Sequence, residues 1–295
     1  MNRTAIRARL SGALLIWASC ASGALAEAPG DFSTALTCYR TAHYSEARRI
    51  FERLAAERPD DPELDFYLGR LALWFDDGAQ GLAYLERAAA RAPDSARIQN
   101  ALGDACGLAA QQANLLAKFG WARKCRAAYE RAVELEPGNC DYRWSLLGYY
   151  FLAPRIAGGA PGLAYAQAAE IAKLEPMSGR IAFATLYLGE KKYAAAFAEF
   201  DEVLRRTPDD FLALYHVGRC AALSGEQLER GIAALERCLR LPAPAGEGQP
   251  RPEDIHYRLA NLLEKKGDTV GAETEYERAR RANPDYRPAK VALKK

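Results

Sequence analysis

Apolar residues along this chain recur at helical spacing, and short polar turns interrupt them at near-regular distances. Ala47, Phe51 and Leu54 stand at i, i+4 and i+7, one stripe of an amphipathic helix. Pro59 cannot continue that helix, and Asp60 or Asp61 is placed to cap the next one by accepting its free N–H groups. In the new helix Leu68 precedes Gly69, a bulky residue beside a missing side chain, where a second helix can approach closely. The stretch from Tyr44 to Gly69 therefore predicts the second helix of one hairpin, a turn, and the first helix of the next.

The rest of the chain repeats this arrangement. Pro59, Pro93, Pro137, Pro176, Pro208, Pro242 and Pro284 are separated by 34, 44, 39, 32, 34 and 42 residues. Phe51, Leu85, Tyr129, Phe200 and Tyr276 each stand eight residues before their proline, and Ala47, Gly81, Cys125, Ala164, Ala196 and Ala272 stand twelve before, in a slot that stays small. The entering helix repeats a large–small pair as Leu68-Gly69, Leu102-Gly103, Phe183-Ala184, Val217-Gly218 and Leu259-Ala260. Small residues facing small residues on the neighbouring helix would allow a close crossing.

This register resembles the tetratricopeptide repeat, a helix–turn–helix unit of 34 residues. Tyr44 and Tyr193 match the family's turn aromatic, and Gly225 and Gly267 its turn glycine. The resemblance implies an all-α, right-handed superhelical solenoid of about seven units, approximately 28–61, 62–95, 96–139, 140–176, 177–210, 211–242 and 253–286. A basic segment, Arg287–Lys295, would cap the last hairpin. Three stretches depart from the pattern. Unit three is about ten residues too long between Gly107 and Trp121, and its helix-forming composition predicts lengthened helices. Unit four carries a Gly- and Pro-rich excess from Ala153 to Gly162 that predicts a loop, as does the linker from Ala243 to Pro252.

The first residues read as a signal peptide rather than as part of the fold. Arg3, Arg7 and Arg9 precede an apolar run from Leu10 to Trp17, and Ala24-Leu25-Ala26 is the small-x-small pattern cut by signal peptidase, here before Glu27. The chain then goes to the periplasm or is secreted. Two alternatives stand beside cleavage: an uncleaved N-terminal membrane anchor, and lipidation of Cys20. Removing residues 1–26 takes away three Arg and no acid, so 40 basic residues become 37 against 38 acidic ones. The remaining chain is close to neutral, has no long charge block, and shows no membrane span. Nucleic acid and anionic membrane surfaces are accordingly disfavoured as partners.

No enzyme or cofactor signature is present. His43, His216 and His256 fall in different units without a second ligand nearby, so no metal site is expected. Gly158-Gly159-Ala160-Pro161-Gly162 lacks the preceding strand and following Lys-Ser/Thr of a phosphate cradle and reads as a turn. Asp76-Asp77 and Asp209-Asp210 lie at turns, where capping and solvation account for them. Cys38, Cys106, Cys125, Cys140, Cys220 and Cys238 form an even set compatible with disulfides in an exported chain. Cys220–Cys238 and Cys106–Cys125 lie on antiparallel helices of one hairpin each. The competing reading is small apolar filler, favoured at Cys125 and Cys238 because their slots elsewhere hold small or apolar residues.

In this family the first helices line a concave groove that holds an extended peptide or a partner helix. The repeat register carries that role to Phe66, Arg70, Asn100, Asp104, Trp144, Ile181, Tyr215, Arg219, Tyr257 and Asn261, several of them aromatic or Arg residues of the type that dominates binding hot spots. Phe66, Trp144 and Tyr257 are equally compatible with partial core positions. The family's carboxylate-clamp pattern is not reproduced by Arg219 and Asn261 alone. The resemblance implies a non-enzymatic scaffold or assembly factor of the bacterial cell envelope whose partner is a protein or peptide. Two other readings are a receptor or enzyme with a site at the insertions of units three and four, and a structural role through the convex face.

Overall fold

The computed structural model describes residues 31–41, 43–242, 249–284 and 286–293. Residues 1–26, read above as a signal peptide, lie outside the described residues together with Cys20 and the expected cut before Glu27, as do 243–248 of the linker. The described chain forms fifteen α-helices and one short 3₁₀ turn, with no strand among them. It divides into a small N-terminal unit ending at Glu57 and a larger unit from Arg58 onward.

The small unit is one hairpin, α1 (Phe32–Arg40) and α2 (Tyr44–Glu57). Asp31 caps α1 by accepting from the Thr34 N–H. Ala35, Ala47, Ile50, Phe51 and Leu54 are buried, and Phe32 meets Phe51 edge-on at 5.6 Å. The stripe read from Ala47, Phe51 and Leu54 is therefore the inward face of α2.

The larger unit continues in hairpins: α3 (Pro62–Trp74) with α4 (Gly78–Arg91), α5 (Ala96–Gln112) with α6 (Leu115–Leu135), and α7 (Cys140–Leu152) with α8 (Pro161–Leu174). Then follow α9 (Pro176–Gly189) with α10 (Tyr193–Arg206), α11 (Phe211–Ser224) with α12 (Leu228–Arg240), and α13 (Pro252–Lys266) with α14 (Thr269–Ala282). A short α15 (Arg287–Ala292) packs on α14. The second helix of each hairpin packs on the first helix of the next. Turn chemistry explains the punctuation. Asp61, Asp77 and Asp210 each accept from a first-turn N–H, while Gly225 and Gly267 end α11 and α13 at φ 77° and 88°, in the left-handed region that favours glycine.

The excess of unit three is helix: α5 and α6 have 17 and 21 residues, against 13 to 15 in the other hairpins of this unit. The excess of unit four is an ordered loop containing the 3₁₀ turn Arg155–Ala157. Gly158 follows it at φ 94°, and a Cβ at Gly159 would fall 1.7 Å from the Ala153 carbonyl oxygen. Those glycines serve a tight reversal.

The large slot eight residues before each proline is buried throughout, with Leu85 and Phe200 fully inside and Tyr129 and Tyr276 nearly so. Its partner is the small residue of the first helix. A Cβ on Gly69 would lie 2.6 Å from Leu85, and one on Gly103 would lie 2.4 Å from Tyr129. Small-against-small contact does occur at Gly69 and Gly81, where each Cβ would approach the other's carbonyl oxygen at 3.1–3.2 Å. Elsewhere the large side chain of one helix fills the space over the small residue of the other.

The six described cysteines are free thiols, five of them buried. Expected pairing of Cys220 with Cys238 is corrected by the hairpin register. The Cys238 thiol donates to the carbonyl of Phe211, the first residue of α11, at 3.5 Å, while Cys220 donates to Tyr193 at 3.9 Å. Cys220 lies nine residues further along α11 than Phe211, roughly 13 Å away, beyond disulfide reach. Burial pushes the Cys106 and Cys220 thiols up to about 11 and those of Cys125 and Cys238 up to about 12, so they act as apolar filler.

Two core clusters meet in the larger unit. One spans α5 to α9 around Tyr129, Leu146, Ile171 and Leu186, the other α9 to α13 around Phe200, Val203, Leu235 and Leu262. Trp144 packs against both. His216 stacks on Phe200 at 5.7 Å and meets Tyr215 edge-on, and its Nδ1 is buried without a hydrogen-bond partner. Burial first, then the positive charges of Arg219 and Arg258, lower its pKa to about 3.

Two outcomes follow from this packing. A Cβ at Gly179 would meet the Ala172 backbone at 2.3 Å, whereas one at Gly148 meets nothing within 4 Å. In urea melts Gly179→Ala should cost ~1–3 kcal/mol despite its better helix propensity, and Gly148→Ala should gain up to ~1 kcal/mol. His216 is neutral when folded and titrates near 6.5 when unfolded, so the unfolded state binds the extra proton as pH falls. Its contribution is complete above pH 6.5 and is lost at about 1.4 kcal/mol per pH unit on the way toward pH 3. Stability curves of wild type and His216→Phe should therefore diverge below pH 6 by that slope.

Candidate functional site

The first helices α3, α5, α7, α9, α11 and α13 carry the expected binding residues, and α3 touches α5, α9 touches α11, and α11 touches α13. At the α3–α5 end their charges are matched one period apart. Arg70 donates to Asp104, 34 residues on, at 2.6 Å, and the Tyr129 hydroxyl donates to the other oxygen of Asp104 at 2.7 Å. Arg97 pairs with Glu63, again 34 residues away, donates to the Tyr67 hydroxyl at 3.1 Å, and lies 4.3 Å over the Phe66 ring. Arg70 and Asp104, both expected to face a partner, thus face each other.

The α11–α13 end differs. The Arg258 Nε donates to the Tyr215 hydroxyl at 2.6 Å, and its guanidinium lies 5.1 Å over the Tyr215 ring. Neither Arg258 nor the half-buried Arg219 pairs with a carboxylate among the described residues. Burial first, then Arg258, lowers the pKa of Arg219; a guanidinium remains charged regardless. The nearby acid Asp254 is already engaged, accepting from the Tyr286 hydroxyl at 2.8 Å and the Arg251 N–H at 3.1 Å. Two cations of successive first helices therefore stand without an anion.

The other expected residues divide between core and surface. Phe66, Ile181 and Tyr215 are buried, while Trp144 and Tyr257 are half-buried. The Asn100 Oδ1 is buried and has no partner, and the Asn261 amide donates to the Tyr257 carbonyl in its own helix at 2.6 Å. Tyr257 and Asn261, with Glu264, Tyr276 and α15, line a cleft of about 420 Å³. Sequence reasoning missed three buried acids and one half-buried arginine of the groove, Arg258. Asp65 accepts from Arg87 and from Arg91 (2.6 Å), Glu275 accepts from Arg278 at 2.5 Å and lies 2.7 Å from the His256 Nδ1, and Glu253 accepts from Asn283 at 3.1 Å. Arg258 was hidden because Asp254 four residues earlier reads as its ion-pair partner.

Among the described residues, no three His, Cys, Asp or Glu side chains are grouped to hold a metal, and no helix is long and apolar enough to cross a membrane. Profiles of the tetratricopeptide repeat match residues 42–105, 181–245 and 221–287, together more than half of the chain. Among solved structures, a tetratricopeptide repeat protein from Parabacteroides merdae is similar over 89% of this chain and 95% of its own, at 12% identity and a TM-score of 0.61. Yeast Tom70 is similar over 85% of this chain and 50% of its own, at 14% identity and a TM-score of 0.58. A thermophilic repeat protein from Thermus thermophilus is similar over 70% and 95%, at 21% identity and a TM-score of 0.51. At these identities the structures speak for the fold alone, and together with the matched repeats they establish that the chain belongs to the tetratricopeptide repeat family.

Proposed function

We propose that this chain is a non-enzymatic binding scaffold of the bacterial cell envelope, and that its first helices hold an extended acidic segment of a protein partner. Repeat proteins of this family mediate protein interactions, which supports the scaffold reading. The observation that carries the chemistry is the pair Arg219 and Arg258, two partly buried cations on adjacent first helices without a carboxylate. Desolvated guanidiniums gain most from an anion that the partner supplies, and the donors of Arg258 that do not reach Tyr215 remain available for it. At the other end Arg70 and Arg97 already hold Asp104 and Glu63, so that end contributes shape more than charge.

Export belongs to the same reading and rests on the Arg-rich start and Ala24-Leu25-Ala26. N-terminal sequencing of the envelope fraction should begin at Glu27; a modified Cys20 would make the protein a lipoprotein, an intact Met1 in that fraction would make it anchored by an uncleaved N-terminus, and absence of the chain from the envelope would remove the export reading.

The groove is tested with a labelled extended peptide alternating Glu with aliphatic residues, and its Gln counterpart, by fluorescence anisotropy. The Glu peptide should bind more tightly, and Arg219→Gln combined with Arg258→Gln should weaken it by at least about tenfold at unchanged helicity. The loss should shrink at high salt, where screening already removes part of the attraction. Equal binding of the two peptides would rule out an acidic occupant.

A further inference from the structure

The insertions of units three and four meet at one edge of the array. The 3₁₀ turn after α7 packs its Ala157 against Ala110 and Ala122, with Phe119 and Trp121 alongside. The loop is fixed there. The Tyr149 hydroxyl donates to the Ala157 carbonyl at 2.5 Å, the Ala160 N–H donates to Tyr150 at 2.8 Å, and Gly158 lies against the Arg126 guanidinium. With Ala157 held inward, its neighbour Ile156 is 77% exposed. On the same two hairpins, Leu152 is 80% exposed, Leu163 47%, and Leu115 and Leu116 at the start of α6 are 72% and 91% exposed. Five large aliphatic side chains so exposed, at helix ends and in the 3₁₀ turn of adjacent hairpins, favour a covering partner.

Charge identifies the partner. From residue 105 to 129 and from 142 to 169 there is no Asp or Glu. Of the chain's 40 basic and 38 acidic residues, six basic ones fall in these two stretches, so the rest carries 34 against 38. These stretches are not richer in basic residues than the rest, but they lack acids, so a nearly neutral chain is locally net positive where its aliphatic residues are exposed. Lys124 is neutralised by Glu86 at 3.1 Å, and Arg126 faces Glu130 at 3.7 Å. Lys118, Arg123 and Arg155 are exposed and pair with no carboxylate among the described residues. The half-buried Trp121, with Lys124 lying 4.4 Å from its ring, adds an aromatic of the kind that favours a water–lipid boundary.

We propose that this edge docks on the surface of an anionic lipid bilayer, with Leu115, Leu116, Leu152 and Ile156 entering the interfacial layer and Lys118, Arg123 and Arg155 meeting lipid phosphates. Aliphatic insertion and cation–headgroup attraction act together, since neither alone holds a protein on a membrane strongly. The surface is peripheral and requires no spanning helix. Disfavouring of anionic membranes by overall composition is reversed locally, because average charge conceals its segregation. The inference is independent of the occupant of the groove.

The test is co-sedimentation of residues 27–295, the chain expected after signal cleavage, with phosphatidylcholine vesicles and with vesicles containing phosphatidylglycerol. Binding should require phosphatidylglycerol, weaken with salt, and fall roughly fivefold for each cation removed in Lys118→Gln, Arg123→Gln and Arg155→Gln. Leu116→Asp with Ile156→Asp should abolish it; both positions are exposed, and circular dichroism checks that the helices remain. Arg219→Gln with Arg258→Gln should leave it unchanged, which separates this surface from the groove. Equal binding to neutral vesicles, no binding to either, or indifference to the aspartate pair would overturn the proposal. Self-association that the aspartate pair dissolves, without lipid binding, would assign the patch to a second copy instead.

Discussion

The architecture of the larger unit depends on one steric exchange: a first helix gives up a side chain so that the second helix can place a large one there. Gly69 receives Leu85, Gly103 receives Tyr129 and Gly218 receives Leu235, each at a distance where even a methyl group would collide. The approach brings backbones together, fixes the crossing, and leaves the opposite faces of each hairpin to pack on its neighbours. At Gly179 the neighbouring backbone itself is the obstacle, so no rotamer change relieves a substitution there. Everything that the first helices present is positioned by these contacts.

On that frame, charge is distributed unevenly. The α3–α5 face is internally neutral through pairs one repeat apart, the α11–α13 face holds Arg219 and Arg258 without an acid, and the edge around Ile156 combines exposed aliphatic residues with unpaired cations. Partly buried guanidiniums favour an anion that accepts two parallel N–H donors, such as a carboxylate on an extended chain. Exposed cations beside leucines suit a diffuse anionic sheet. Two surfaces of one stack thus have different electrostatic characters, although its net charge is close to zero.

The repeating slots were legible because they are local. A proline that ends a helix and an apolar residue eight positions earlier lie within little more than two helical turns of each other, so Leu85 and Phe200 could be assigned inward before any contact was known. The lengthening of α5 and α6 was legible for the same reason, from helix-forming composition. Contacts between units were not. Arg70 and Asp104 both map to the groove face, and their pairing depends on how side chains reach across adjacent helices. Tyr215 was placed on the binding surface by register, yet Arg258 lies over its ring and its side chain is buried. The cysteines show the converse: hairpin membership suggested a bridge between Cys220 and Cys238, and the offset along the helices removes it.

Asp104 has a consequence for modularity. Its two oxygens are satisfied by Arg70 from the preceding unit and by Tyr129 from the second helix of its own. Burial and the Asp104 carboxylate together hold the Tyr129 phenol protonated, so the triad stays locked in its donating form at any physiological pH. A unit excised or transplanted beside a neighbour lacking that arginine would carry a partly enclosed carboxylate with half of its partners missing. Units two and three are therefore not interchangeable bricks: unit three is chemically complete only beside the arginine of unit two, which restricts duplication or shuffling there to changes that move both sides of the junction together.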